Sequence, residues 1–220
     1  MIKAVIFDLD GTLLYTLPDL TAAMSYAMRC HGFPEITPEM TESYIGNGVR
    51  KYAERSAPPG TDAEVIDSCV AKFKEYYRDH TCVNTYPYKG ITELIEKLKQ
   101  KGIKLGVQSN KYHEATAYMI EHYFPNAFLS VYGECEKCPR KPDPSGTLLI
   151  LDELGVRPGE ALFVGDSSAD IKVAKNAQCI PISVTWGYRS REALTLAGAE
   201  NFVNTPEEIY NAVLRYNGEI

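Results

Sequence analysis

The stretch Ala4-Val5-Ile6-Phe7-Asp8-Leu9-Asp10-Gly11-Thr12-Leu13 decides how this chain folds. Four apolar residues followed by two acids read as a short buried strand whose carboxyl end opens into a polar loop. Side chains two apart on a strand face the same way, so Asp8 and Asp10 project together, roughly 6–7 Å apart along the backbone. Two carboxylates that close repel unless a cation or a shared proton relieves them. Magnesium suits such a pair, because it prefers oxygen ligands and often bridges carboxylates to phosphate. Alone, the same residues also read as an acidic loop capping the next helix.

Working outward, four further apolar runs have the character of buried strands, at residues 103–107, 128–131, 161–164 and 180–184. Stretches with helical period separate them. Ile91, Leu94, Ile95 and Leu98 form an i, i+3, i+4, i+7 stripe that stops at Gly102. Helices are expected at 147–154 and 169–177, and again behind Thr205-Pro206-Glu207-Glu208. There Thr205 can cap, Pro206 fits the first helical position and Glu208 completes a capping box. Strands alternating with helices predict an α/β fold, a doubly wound parallel sheet with its site at the strands' carboxyl ends.

Residues 16–85 break the alternation. They hold helical segments at 18–30, 38–44, 49–56 and 62–80, punctuated by Gly32-Phe33-Pro34, Gly46-Asn47-Gly48 and Pro58-Pro59-Gly60. The expected organisation is therefore an α/β core from 1–15 and 86–220 with a helical module, 16–85, inserted after the first strand. The chain returns through Tyr86-Pro87-Tyr88-Lys89-Gly90.

Three more places carry chemistry. Gln108-Ser109-Asn110-Lys111 ends the strand at 103–107, where a hydroxyl and backbone amides can donate to phosphate oxygens, although Ser-Asn is also a common helix cap. In Arg140-Lys141-Pro142-Asp143-Pro144 the prolines restrain the backbone around a lysine whose ammonium would offset carboxylate and phosphoryl charge. A solvated basic turn is the plainer reading. Val164-Gly165-Asp166-Ser167-Ser168-Ala169-Asp170 again ends a strand in an acidic loop, with Asp166 and Asp170 able to hold a hard cation or simply to compensate a helix dipole. Together the four supply nucleophile, hydroxyl, cation and metal ligand, the parts that phosphoryl transfer needs.

This ordered set, Asp-x-Asp-Gly-Thr, Ser-Asn, Lys-Pro and Gly-Asp-x-x-x-Asp, resembles the haloacid dehalogenase superfamily over nearly the whole chain. Within it the chain looks like the phosphoglycolate phosphatase-like branch, in which a helical cap domain follows the first motif; here that cap is 16–85. The resemblance implies that Asp8 attacks phosphorus and forms an aspartyl-phosphate. Asp10 would protonate the leaving alcohol and then activate water. Ser109 would bind phosphoryl oxygens with Asn110, Gly11 and Thr12 on the substrate side, and Lys141 would hold Asp8 and the phosphoryl charge. Asp8, the Asp10 carbonyl and Asp166 would coordinate Mg2+, with Asp170 acting from just outside. Dehalogenases generally lack an acid at the Asp10 position, so phosphotransfer is implied. Leu14-Tyr15-Thr16 departs from the pattern, with Tyr15 where many relatives have an acid.

The expected substrate is a small anionic phosphate ester, 2-phosphoglycolate first among candidates, with sugar phosphates, pyrophosphate and nucleoside monophosphates also open. Tyr44-Ile45-Gly46-Asn47-Gly48-Val49-Arg50 resembles a cap loop, and Arg50 either clamps a second anionic group or is solvated. A β-phosphoglucomutase-like transferase and a non-catalytic phospho-ligand sensor are the alternatives. Isomerisation of glucose 1-phosphate without net phosphate release would mark the first, and loss of the nucleophile or acid would mark the second. With 23 basic and 29 acidic residues, a net charge of -6, nucleic acid is not an expected partner. No apolar run approaches the roughly 20 residues of a membrane span. The absence of a signal peptide and the scattered cysteines at 30, 69, 82, 135, 138 and 179 make a cytoplasmic location the expectation, and the assembly is left open between monomer and homodimer. Cys135-x-x-Cys138 lacks the second pair of a structural zinc site.

Overall fold

The computed structural model describes residues 1–220. Its strands are β1 (Ala4–Phe7), β2 (Leu14–Tyr15), β3 (Tyr86–Pro87), β4 (Lys104–Tyr112), β5 (Ser130–Glu134), β6 (Ala161–Gly165), β7 (Ile180–Val184) and β8 (Phe202–Val203). The helices are α1 (Leu17–Cys30), α2 (Pro38–Tyr44), α3 (Val49–Ser56), α4 (Ala63–Asp79), α5 (Ile91–Gln100), α6 (His113–Tyr123), α7 (Ser145–Leu154), α8 (Ser168–Asn176), α9 (Arg191–Leu196) and α10 (Pro206–Asn217). The chain divides into two compact units, Met1–Tyr15 with Pro87–Ile220, and Thr16–Tyr86.

The first unit is an α/β layer around a six-stranded sheet of order β5-β4-β1-β6-β7-β8, with every pairing parallel. β1 is fully buried because its residues are apolar on both faces, as a central parallel strand requires. Ala4 and Ile6 face a cluster containing Ile150, Leu151 and Leu154 of α7 and Val173 and Ala174 of α8. The stripe Ile91, Leu94, Ile95, Leu98 is the buried side of α5. Each large aliphatic side chain so buried contributes roughly 1.5–3 kcal/mol.

Register sets the site. Phe7 pairs with Val107 on one side and Val164 on the other, so the residues that follow emerge side by side at one edge. The chain places β4 and β5 on one flank of β1 and β6, β7 and β8 on the other. The crevice at the end of β1 is thus the topological switch point of the sheet, where open α/β sheets bind ligands.

Three sequence expectations change. The strand expected at 103–107 continues to Tyr112, so Ser109, Asn110 and Lys111 lie within β4 rather than after it, held by pairing with β5 as far as Tyr112↔Glu134. The strand expected at 128–131 begins at Ser130 and runs to Glu134 for the same reason. The capping box at Thr205 does not form. Its hydroxyl donates to Glu208 Oε1 at 3.3 Å, and Glu208 accepts from the Asn204 backbone at 3.0 Å instead.

In the second unit α1 buries Leu17, Leu20, Ala23, Met24, Ala27 and Met28 along one face, which packs on α4 with its buried Ile66, Cys69, Phe73 and Tyr77. Tyr26 stacks on Tyr76 with ring centroids 4.8 Å apart. Asp19, only 2% exposed, ties the two ends of this unit together. Its carboxylate accepts from the backbone N–H groups of Val83 at 3.0 Å, Asn84 at 3.0 Å and Thr85 at 2.9 Å, and from the Thr85 hydroxyl at 2.8 Å.

Candidate active site

Asp8 leaves β1 with its N–H bonded to the Val164 carbonyl at 2.9 Å, which fixes the carboxylate between the ends of β4 and β6. The loop behind it closes on itself, with Gly11 N–H on Leu14 O at 2.9 Å and Leu13 N–H on Leu9 O at 3.0 Å. Gly11 has φ +81°, and a Cβ there would sit 2.3 Å from Asp166 Oδ2, so both the backbone and the neighbouring acid demand glycine.

Lys141 is the hub. Its Nζ lies 2.7 Å from Asp8 Oδ1 and 2.7 Å from Asp170 Oδ1, and donates to the Gln108 carbonyl at 3.2 Å. Asn110 clamps the lysine's backbone, with Oδ1 accepting from Lys141 N–H at 2.7 Å and Nδ2 donating to its carbonyl at 3.4 Å. Burial opposes the lysine's charge, but the Asp170 and Asp8 carboxylates more than offset it and hold its pKa above the usual value. Asp170 is fully engaged, since Oδ2 accepts the Ser167 N–H at 2.9 Å and the Ser167 hydroxyl at 2.6 Å. Asp166 Oδ2 accepts the Tyr188 N–H at 2.6 Å.

Carboxylate oxygens of Asp8, Asp166 and Asp170 lie within 4.8 Å of one another. Burial first, then the charge of Asp170, raises the pKa of Asp8 well above that of an ordinary carboxyl and pushes Asp166 up to about 7. Counting Asp10, four carboxylates share the ammonium groups of Lys141 and Lys111, and the Arg189 guanidinium also acts on Asp166, so acids outnumber bases. A donor set of carboxylate oxygens with acids in excess fits a hard divalent cation. Asp8 and Asp166 are the residues free to hold it, while Asp170 orients Lys141.

A family model described as haloacid dehalogenase-like hydrolase matches residues 5–184, which span the strand, both lysines and all four acids. The chain belongs to the haloacid dehalogenase-like hydrolases. This hydrolase is 32% identical over 201 residues to a phosphoglycolate phosphatase of Aliivibrio fischeri, covering 88% of each chain. It is 29% identical to an N-acetylmuramic acid 6-phosphate phosphatase of Pseudomonas aeruginosa, covering 97% of this chain and 96% of the relative. A crystal structure from Lactobacillus delbrueckii subsp. bulgaricus, provisionally described as a phosphoglycolate phosphatase, superposes with a TM-score of 0.91 at 35% identity, covering 96% of this chain and 98% of that one. The hydrolase is thus an enzyme of the phosphatase class, and none of its helices is long and apolar enough to cross a membrane.

The structure brings Asp8, Asp10, Gly11, Thr12, Ser109, Asn110, Lys141, Asp166 and Asp170 of the hydrolase into the edge formed by the ends of β1, β4 and β6. Ser109 is buried, and its Oγ accepts the Lys111 N–H at 3.2 Å. The Thr12 hydroxyl is buried with no hydrogen-bond partner, an arrangement that costs about 1–3 kcal/mol and leaves it able to take one from a ligand. Arg50 lies on α3 of the helical unit, ion-paired with Asp67 and, at 3.3 Å, with Glu54. Tyr15 sits edge-on to Tyr88 and Tyr188, with centroids 6.1 and 6.2 Å away. Cys135 and Cys138 exchange backbone hydrogen bonds of 3.0 and 3.1 Å, and both thiols are free.

Sequence reading assigned no role to Lys111, Trp186 or Tyr188. Lys111 Nζ lies 3.2 Å from Asp10 Oδ1, and Trp186 donates to the Thr12 carbonyl at 3.1 Å. Nothing local marks the Lys111 contact, because its partner Asp10 is distant in sequence.

Proposed function

We propose that the chain is a magnesium-dependent phosphatase that hydrolyses a small phosphate monoester through an aspartyl-phosphate at Asp8. The observation that carries this is the buried Asp8 carboxylate held 2.7 Å from Lys141 beside Asp166 and Asp170. An Asp8 oxygen attacks phosphorus as the ester P–O bond breaks, and Asp10 delivers a proton to the departing alkoxide. Water then attacks the acyl phosphate while Asp10 takes its proton, which releases inorganic phosphate and restores Asp8. Lys141 balances the charge of Asp8 and of the phosphoryl group throughout. Bound magnesium would be held by Asp8 and Asp166, as the family resemblance implies with the Asp10 carbonyl, and supplies charge neutralisation of the phosphoryl oxygens. Ser109 and Thr12 carry the hydroxyls assigned to those oxygens.

The helical unit is assigned the part of a cap that selects the leaving group. 2-Phosphoglycolate leads among substrates because of the relatives' names, and N-acetylmuramic acid 6-phosphate joins the panel on the same ground. The free cysteines support a reducing, cytoplasmic setting. The test is magnesium-dependent hydrolysis of p-nitrophenyl phosphate by wild type and Asp8→Asn. Loss in the variant is expected, and equal rates would sink the mechanism. A screen of phosphate monoesters then ranks the substrates.

A further inference from the structure

The Lys111 ammonium is nearly as deeply placed as that of Lys141, with its side chain only 5% exposed. Burying a cation is costly unless a partner and fixed geometry repay it. The structure builds that geometry around the lysine's backbone. Between Gln108 and Tyr112 the register of β4 against β5 shifts, because Gln108 pairs with Tyr132 while Tyr112 pairs with Glu134. Two extra residues on β4 are thereby accommodated. Bulges of this kind re-aim side chains beside active sites.

The bulge is secured at several points. The Lys111 N–H donates to Ser109 Oγ at 3.2 Å, and its carbonyl accepts from the Thr116 hydroxyl at 3.4 Å. Opposite it stands Gly133, where a Cβ would lie 2.4 Å from the Lys111 carbonyl oxygen and 2.5 Å from Thr116 Oγ1, so no larger residue fits. The outcome is an ammonium 3.2 Å from Asp10 Oδ1. Lys141 serves Asp8 and Asp170, so the two lysines between them pair with three of the four acids.

We propose that Lys111 is the positioning residue for Asp10, holding its carboxyl where it meets the leaving-group oxygen. The inference rests on Asp10 acting as the acid of the proposed mechanism. Lys111 donates no proton and forms no bond to phosphorus; the proton still passes from Asp10 to the alkoxide as the P–O bond breaks. A misdirected Asp10 therefore penalises esters in proportion to how badly their leaving group needs that proton.

The experiment measures single-turnover release of the leaving group with magnesium present. The esters are 2,4-dinitrophenyl phosphate, whose leaving group needs no proton, and an aliphatic ester on which the wild type turns over. Lys111→Met and the neutral donor Lys111→Gln are compared with Asp10→Asn and with the double variant Lys111→Met/Asp10→Asn. General acid catalysis contributes about 10²–10⁴-fold, so Asp10→Asn sets the full loss on the aliphatic ester. Each lysine variant is expected to lose at least about 10-fold there, and less than about threefold on the dinitrophenyl ester. Adding Lys111→Met to Asp10→Asn is expected to cost nothing more, because residues acting through one another are not additive.

Equal losses on both esters, a rise in KM alone, or additive losses in the double variant would overturn the proposal in favour of a direct substrate contact. If Lys111→Met does not fold, Lys111→Gln and the charge-neutral double variant carry the same comparison. Full activity of Asp10→Asn on the aliphatic ester would instead overturn the acid role itself. An active Lys111→Met beside an inactive Asp10→Asn removes only Lys111.

Discussion

Replacing Asp19 by alanine removes one carboxylate and strands a whole turn of backbone. Val83, Asn84 and Thr85 each lose the acceptor of their N–H, and Thr85 also loses the partner of its hydroxyl. Val83 is 62% exposed, so water takes over part of its bond at little cost, whereas Thr85, at 7% exposed, is largely shut off from water. Two buried donors left unmade cost about 1–3 kcal/mol each, which places the loss at about 3–4 kcal/mol. With a urea slope of about 1–1.5 kcal/mol/M, the midpoint of the helical unit falls by roughly 2–4 M. Two probes separate the units, because the single tryptophan, Trp186, belongs to the α/β unit while far-UV circular dichroism reports helices of both. In Asp19→Ala the dichroism is expected to fall before the Trp186 fluorescence shifts. Asp19→Asn, which keeps one oxygen, should lie between. Transitions that coincide with those of wild type in both probes would refute the reasoning.

Further outcomes follow from the acidic cluster. Lys141→Met leaves Asp8 and Asp170 without their shared cation, so phosphatase activity disappears and stability at pH 7.5 drops by about 3–5 kcal/mol, part of which returns at pH 5 as Asp8, whose pKa burial already raises, takes up a proton; unchanged urea midpoints would contradict this. In EDTA, Asp166 binds its proton more tightly folded than unfolded, so its contribution is full below about pH 4 and is lost as pH rises through about 7. Roughly three powers of ten in proton affinity bound that loss at about 4 kcal/mol. Thermal melts at pH 5 and 8 check the trend, and magnesium should restore most of the loss at pH 8; a metal-free protein that gains stability toward pH 8 in this window argues the opposite. Gly11→Ala forces a side chain into φ +81° and against Asp166, so magnesium should raise the melting temperature of the variant less than that of wild type, and an equal rise would clear Gly11 of this role.

Much of the layout is legible in sequence because it is local. The strands at Ala4–Phe7 and Ile180–Val184 and the helices at Pro38–Tyr44 and Val49–Ser56 announce themselves by apolar runs, prolines and glycines. The strands Leu14–Tyr15, Tyr86–Pro87 and Phe202–Val203 are two residues long, too short to show a period. β4 was read short because Ser109, Asn110 and Lys111 look like loop residues, and only pairing with β5 across a register shift makes them strand. The acids and Lys141 were readable since each follows a strand. Lys111 beside Asp10 and Asp19 beside Thr85 were not, because those partners are distant in sequence and chain order carries no trace of their contact. Asp19 in isolation is merely an acid in a helix's first turn, where the dipole welcomes one.

The place where the chain changes units has a consequence for engineering. It departs at β2 and comes back at β3, and these two strands pair with each other, so the severed ends lie about one strand spacing, ~4.8 Å, apart. A splice of two or three residues spans that gap. Such a splice would excise residues 16–86 as a cassette and leave behind the six-stranded sheet, both lysines and all four acids. The α/β unit and the helical unit are thus separable at two points, and if the proposed cap role holds, a different helical cassette joined there would redirect the same carboxylates to a new phosphate ester.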